Sequence, residues 1–115
     1  MLPAPNRLRA SADFADVISH GVRVGRPTLV VHARRSESAD TMVGFVVSRA
    51  VGGAVVRNHV KRRLRALSRP LALSADEQHY HVVVRALPAS ASQPERVAAD
   101  LADAWALALG KAGLS

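Results

Sequence analysis

A dense cationic run in the middle of the chain is the part of the sequence best suited to bind or act on another molecule. The segment GGAVVRNHVKRRLRALSRP, residues 52–70, places six Arg and Lys side chains within thirteen positions and contains no acidic residue. On a helix with about 100° per residue, one side of this segment is an apolar stripe, and the adjacent arc of about 140° is almost entirely cationic. The stripe consists of Val56, Val60, Leu64 and Leu67, and the cationic arc of Arg57, Asn58, Lys61, Arg62, Arg65 and Arg69.

Such a run of charge is either a solvated helix face or a surface that binds phosphate groups. A solvated face usually mixes signs, because like charges four residues apart, such as Arg57 and Lys61, destabilise a helix by a few tenths of a kcal/mol per pair. No acidic residue relieves that repulsion within the segment, which favours a phosphate-binding face. Asn58 could meet a base edge or a 2′-hydroxyl, or could simply be exposed. His59, at the border of the arc, adds positive charge at low pH.

No catalytic constellation is visible elsewhere in the sequence. The carboxylates are scattered, with Asp13 and Asp16 in the first predicted helix and the others in loops or near the end of the chain. His79 and His81 alternate along one predicted strand, and two imidazoles without further ligands make a weak metal site, so we interpret them as surface residues. The absence of cysteine excludes a thiolate zinc site, a disulfide framework and a cysteine nucleophile.

Length and composition indicate one small basic domain. A chain of 115 residues with 49% hydrophobic but only 3% aromatic residues predicts a single domain, residues 1–115, with an aliphatic core. The net charge is +7, and the cations cluster in the first two thirds of the chain, which indicates a polyanionic partner. With no secretory signal pattern and no apolar run of about 20 residues, we expect a cytoplasmic protein without a membrane partner.

Periodicity and chain breakers predict the element order αββαβα. A helix over residues 11–20 precedes two antiparallel strands, VRVGRPTLVVHARR and TMVGFVVSRA, joined by a polar loop. The basic helix is expected over residues 54–68 and is closed by Pro70, and a strand follows over residues 79–87. A last amphipathic helix begins near Pro94 and carries an apolar stripe, which consists of Val97, Leu101, Trp105 and Leu109.

Two stretches together resemble a known family. VGFVVSRAVGGAVVRNHVKRRLR and NRLRASADFADVISHG are similar to the signature segments of the bacterial ribonuclease P protein subunit, and the resemblance covers most of the chain. Five positions depart from the family pattern. They are Ile18, where an aromatic is common, Arg49 with Ala50 in place of two lysines, Gly53 in place of Asn, and His59 in place of the second Arg of the motif.

The resemblance implies an α/β sandwich, of the α+β class, in which helices pack on a mixed sheet of about four strands and the basic helix forms a left-handed βαβ crossover. It implies a protein that joins a catalytic RNA subunit and helps to remove the 5′ leader from precursor tRNA. The Mg²⁺ ions that drive hydrolysis are held mainly by the RNA, and no small-molecule substrate is expected. The positions implied to bind the catalytic RNA are Arg57, Asn58, His59, Lys61, Arg62, Arg65 and Arg69, and those implied to bind the leader are Phe14, Ile18, Ser48 and Arg49.

From the residues alone, other functions stay open. A ribosomal-type RNA-binding protein would need the same kind of cationic surface. A helix-turn-helix DNA-binding protein would use residues 54–68 as its recognition helix. Phe14 is either a core residue or a platform for an unpaired base. A free-standing enzyme is the least favoured class, because the sequence offers it no catalytic site.

Overall fold

Four strands and four helices make up the computed structural model, which describes residues 8, 11–37, 40–73 and 78–113. In chain order they are α1 (Ser11–His20), β1 (Val22–Gly25), β2 (Leu29–Ser36), β3 (Met42–Val46), α2 (Ala54–Leu73), β4 (His79–Ala86), α3 (Ala89–Ser92) and α4 (Val97–Gly113), with a 3₁₀ turn at Pro94–Arg96 before α4. The strands form one sheet in the order β1-β2-β4-β3. The α+β class and the mixed sheet of four strands are confirmed.

The first predicted strand is in fact a hairpin of two strands. Arg26, Pro27 and Thr28 separate β1 from β2, and the N–H of Arg26 donates to the carbonyl of Leu29 at 2.8 Å. Proline has no N–H for a ladder bond, so the chain turns at Pro27 and β1 pairs antiparallel with β2. The structure therefore has one strand more than the predicted element order αββαβα contains.

The third strand lies at the edge of the sheet, away from the hairpin. β3 pairs in parallel with β4, and β2 pairs antiparallel with the other side of β4. The two predicted antiparallel strands thus run in opposite directions without being neighbours. Parallel neighbours need a long connection, and here the connection between β3 and β4 contains α2. Its left-handed sense stays a prediction.

The basic helix is longer than predicted, because α2 passes through Pro70 and ends at Leu73. The prediction that Pro70 closes it was wrong. A proline inside a helix loses one hydrogen bond, but the following turn places Ala72 in the core with 4% of its surface exposed. The buried stripe is also shifted toward the C-terminus. It consists of Val60, Leu64, Ser68 and Ala72, whereas Val56 is 41% exposed.

The helices cover the sheet from both sides. On one face, α2 and α4 supply Leu64, Leu101 and Trp105 to the larger apolar core, so the predicted stripe of the last helix is confirmed in the core. On the other face, α1 packs through Val17 against Leu8 and Val83. Asp16 of α1 pairs with Arg34 of β2 and with His20, which ties α1 to the sheet. Hydrogen bonding to the Arg34 guanidinium lowers the pKa of the Asp16 carboxyl.

Candidate nucleic-acid interface

A groove lies where the cationic side of α2 meets the edge strand β3. Two adjacent depressions form it, and Lys61 lines both of them. One is lined by Leu8, Phe14, Val43, Gly44, Phe45, Lys61 and Arg65, and the other by Val47, Ala54, Arg57, Asn58 and Lys61. We call this surface the β3-edge groove. Its walls differ in chemistry, because α2 supplies cations while β3 and α1 supply apolar surface.

The cationic wall follows from helical spacing. Arg57, Lys61 and Arg65 are four residues apart, so they lie along one side of α2, and all three are partly buried. The Nε atom of Arg57 is buried without a hydrogen-bond partner among the described residues. Three like charges in a row along the groove repel one another, which a polyanion would relieve.

The apolar wall depends on a close contact between Phe14 and Gly44. A Cβ atom at position 44 would overlap the ring of Phe14, so only glycine lets the ring lie against β3. Phe14 is partly buried and packs beside the Leu8, Val17 and Val83 cluster, yet it also lines the groove. One part of the Phe14 ring is therefore in contact with the core and another faces the groove, while its role as a platform for a base stays a prediction.

The cations of α2 are not neutralised within the molecule. In the part of the chain that the structure describes, no Arg or Lys of α2 takes part in an ion pair; the pairs found join Asp16 to His20 and Arg34, and Arg26 to Asp103. Arg63, which was not among the predicted contacts, points elsewhere and donates from Nη1 to the carbonyl of Pro94 at 2.7 Å. The positive field of the groove is therefore open to an external partner.

The remaining predicted site residues lie outside the lining of the groove. His59, Arg62 and Arg69 are exposed on α2, and Ile18 is 38% exposed one helical turn after Phe14. Ser48 and Arg49 are exposed in the turn that leads to α2. The structure brings Phe14, Lys61 and Arg65 together in one depression, and Arg57, Asn58 and Lys61 in the adjacent one.

The turn between β3 and α2 fixes how the basic helix begins. The N–H groups of Val51 and Gly52 donate to the carbonyls of Ser48 and Arg49 at 3.1 and 3.2 Å. Gly52 has a φ of 159°, and a Cβ there would lie 2.9 Å from Val56. The glycine therefore allows the chain to pass close to the first turn of α2.

Sequence reasoning missed the β3 side of the groove. Leu8, Gly44, Phe45 and Val47 line it, and their contribution depends on the pairing of β3 as an edge strand, which no local pattern showed. The sequence did contain one signal, a glycine inside a strand, which often marks close approach of another group. Gly44 fits that rule.

Neither a metal site nor a membrane segment is visible in the part of the chain that the structure describes. Among residues 8, 11–37, 40–73 and 78–113, no group of three His, Asp or Glu side chains could hold a metal ion. His81 lies with its Nε2 3.2 Å from the Ser36 hydroxyl. No helix within the same ranges is long and apolar enough to cross a bilayer. The helix-turn-helix alternative is not supported, since α2 lies between two strands.

Comparison with known proteins identifies the family. The family model described as Ribonuclease P matches residues 2–109. The ribonuclease P protein component of Kocuria rhizophila is 47% identical over 110 residues, which cover 95% of this chain and 96% of that one, and that of Streptomyces bikiniensis is 57% identical over 97 residues, covering 76% and 78%.

Solved structures agree with the family match. The RNase P protein of Staphylococcus aureus superposes with a TM-score of 0.78 at 23% identity over 90% of this chain and 94% of that one, which supports the fold. The RNase P protein of Thermotoga maritima gives a TM-score of 0.72 at 26% identity over 84% and 92%. Since the family model spans nearly the whole sequence and close relatives share about half of its residues, the chain belongs to the family of bacterial ribonuclease P protein components.

Proposed function

We propose that this chain is the protein subunit of a cytoplasmic ribonuclease P particle that removes the 5′ leader from precursor tRNA. In this proposal it binds the catalytic RNA and the leader, and the RNA carries out hydrolysis. The observation that carries the proposal is the β3-edge groove, in which Lys61 and Arg65 stand opposite Phe14 in a member of this family.

The cationic wall would bind the sugar-phosphate backbone of the catalytic RNA. Each Lys or Arg that neutralises a phosphate releases counterions, so affinity gains a strong dependence on salt. Arg57, Lys61 and Arg65 are positioned for such contacts along the groove, with Arg62 and Arg69 exposed beside them. Asn58 and His59 add hydrogen-bonding groups to the same surface.

The apolar wall would hold the single-stranded leader. An aromatic ring stacks on an unpaired base with about 1–3 kcal/mol per base and little regard for sequence. Phe14 presents part of its ring to the groove. Ile18, Ser48 and Arg49, which are exposed, would contact the strand as it enters or leaves.

The role of the chain in the reaction is positioning. Mg²⁺ held mainly by the partner RNA supplies the hydrolytic chemistry when bound, and the protein contributes no ligand set of its own among the described residues. By neutralising phosphates where catalytic RNA and precursor tRNA meet, the groove lowers the electrostatic cost of bringing two polyanions together. We therefore expect the protein to reduce the Mg²⁺ concentration that cleavage requires.

Reconstitution tests the proposal. The purified chain alone should leave precursor tRNA intact, and addition of a matching bacterial catalytic RNA should give mature 5′ ends at a Mg²⁺ concentration where the RNA alone is inactive. Gel analysis of labelled substrate measures both. Cleavage by the protein without RNA, or no stimulation of the RNA at any Mg²⁺ concentration, would overturn the proposal.

A further inference from the structure

One arginine of α2 lies on the side of the helix away from the β3-edge groove. Leu64 is fully buried and so marks the side of α2 that packs on the sheet. At about 100° per residue, Lys61 and Arg65 lie about 60° and 100° to one side of Leu64, and Arg63 lies about 100° to the other. Lys61 and Arg65 line the groove, whereas Arg63 donates from Nη1 to the carbonyl of Pro94 at 2.7 Å. The two flanks of the helix therefore face different parts of the molecule.

The carbonyl that accepts this hydrogen bond belongs to an anchored turn. Pro94 begins the 3₁₀ turn before α4, and its carbonyl also accepts the N–H of Val97, whose side chain is buried in the core. On the other side of the turn, the N–H of Gln93 donates to the carbonyl of Ala89 at 2.7 Å. The turn is thus bonded to both α3 and α4, and Arg63 connects α2 to it.

Few buried side chains hold the half of α2 that carries the cations of the groove. The structure describes all of residues 54–65, and of these Val60 and Leu64 are buried. The two residues are one turn apart on the same side of the helix, so they fix its distance from the sheet better than its rotation about its own axis. A hydrogen bond from one flank, such as that of Arg63, restricts this rotation.

The groove leaves room for such a rotation, because two depressions lie between the cations of α2 and β3. A helix with its side chains is about 10–12 Å across, so a rotation of about 10° moves the groups at its surface by about 1 Å. Charge-assisted hydrogen bonds are normally about 2.7–2.9 Å long, and a shift of this size weakens them. The rotation of α2 therefore affects how well its cations meet a phosphate.

We propose that Arg63 is a positioning residue for RNA binding, and that its hydrogen bond to Pro94 holds α2 in the rotation that directs Lys61 and Arg65 into the groove. The inference rests on the proposed function, in which these two cations bind the catalytic RNA. Arg63 acts through them and makes no phosphate contact of its own. Arg62, the adjacent cation, is exposed and differs from Arg63 in being available to a phosphate directly.

Binding of the full chain to the catalytic RNA over a series of salt concentrations tests this assignment. Arg63→Met keeps much of the apolar length of the side chain but removes the donor and the charge. Affinity should fall about fivefold, while the slope of log affinity against log salt stays unchanged, because the same phosphates are still neutralised. Arg62→Met, the matched control, should reduce this slope by about 0.7–0.9, the value for one lost phosphate contact.

A second measurement shows whether Arg63 acts through the two cations of the groove. In a chain that already carries Lys61→Met and Arg65→Met, Arg63→Met should change the affinity by less than about twofold, since no cation remains for it to position. Arg62→Met should still lower the affinity in that background. Arg63→Lys should bind within about twofold of the unchanged chain, because an ammonium group can donate to the same carbonyl.

Each outcome decides between distinct roles of Arg63. A reduced slope in Arg63→Met would make it a phosphate contact. Unchanged affinity with a lower urea midpoint, or failure of Arg63→Met to fold, would make its hydrogen bond structural only. Either result overturns the proposal, and so does an undiminished effect of Arg63→Met in the background that lacks Lys61 and Arg65.

The same experiment separates this inference from the proposed function. If the unchanged chain does not bind the catalytic RNA, the proposed function fails and the role of Arg63 fails with it. If the unchanged chain binds and the Arg63 variants do not behave as expected, only the positioning role is wrong.

Discussion

The two long helices pack on the same face of the sheet but use their charges in opposite ways. On α4, Asp100 accepts hydrogen bonds from the backbone N–H and the hydroxyl of Thr28, at 3.1 and 2.7 Å, and Asp103 pairs with Arg26 at 2.9 Å. On α2, the described residues provide no carboxylate partner for any Arg or Lys. Asp100 and Asp103 of α4 thus bond to groups within the molecule, whereas the cations of α2 form no ion pair among the described residues and only Arg63 of them donates to a backbone carbonyl, that of Pro94.

The difference gives a way to separate structural from binding residues. Charges paired inside the chain should affect folding when removed, and charges without internal partners should affect binding and leave folding unchanged or slightly improved, since like-charge repulsion along α2 is relieved. Each of the following variants tests one side of this division.

The largest expected effect is on stability, from Asp100→Ala on α4. This change leaves the N–H and hydroxyl of the buried Thr28 without their acceptor, and we expect a loss of about 1.5–3 kcal/mol in the free energy of unfolding. Urea denaturation measures it. Asp103→Ala is the matched control, because its pair with Arg26 is exposed, with Asp103 66% accessible, and is expected to contribute about 0–1 kcal/mol. If both variants lost the same free energy of unfolding, the structural role assigned to Asp100 would be wrong.

Next in size is the combined change Arg57→Ala and Lys61→Ala on α2. Loss of one or two phosphate contacts should weaken binding to the catalytic RNA about tenfold and reduce the slope of log affinity against log salt by roughly 0.7 to 1.8. Filter binding over a series of salt concentrations measures both quantities. Arg35→Ala with Arg96→Ala removes the same charge from exposed positions outside α2 and should leave the slope nearly unchanged. An unchanged slope in the α2 variant would mean that its cationic face is only solvated.

The smallest expected effect is confined to single-stranded RNA. Phe14→Leu keeps an apolar side chain but removes the stacking ring, so affinity for a leader-length oligonucleotide should fall about fivefold, near the low end of the energy of base stacking. Gly44→Ala, which displaces the ring without removing it, should give a similar loss. Fluorescence anisotropy with leader and duplex RNA measures the selectivity. A loss of equal size for both RNAs would show that the groove does not distinguish single strands.

Local patterns in the sequence predicted the helices and strands well where the residues that end such elements agreed with the hydrophobic periodicity. The helix over residues 11–20, the strand after residue 78 and the buried Trp105 all followed from such patterns. The two prolines show the limit of that reasoning. Pro27 interrupts a strand because the sheet needs its missing N–H, while Pro70 lies inside α2, where the turn after it packs Leu71 and Ala72 on the core.

The groove was predicted only in part, for a similar reason. Helical spacing correctly placed Arg57, Lys61 and Arg65 on one side of α2. The pairing of β3 with β4 decides which of the cations face β3. This pairing joins segments that are far apart in sequence. The same long-range pairing set Phe14 against Gly44, and no local pattern contains it.

The order of the strands also bears on when the groove forms during synthesis. β3 leaves the ribosome before α2, and its strand partner β4 comes after α2. Pairing between such distant segments is slow, because closing the intervening loop costs chain entropy. Because β4 is the strand that β3 pairs with, the edge strand that forms one wall of the groove has no place in the sheet until β4 has been translated.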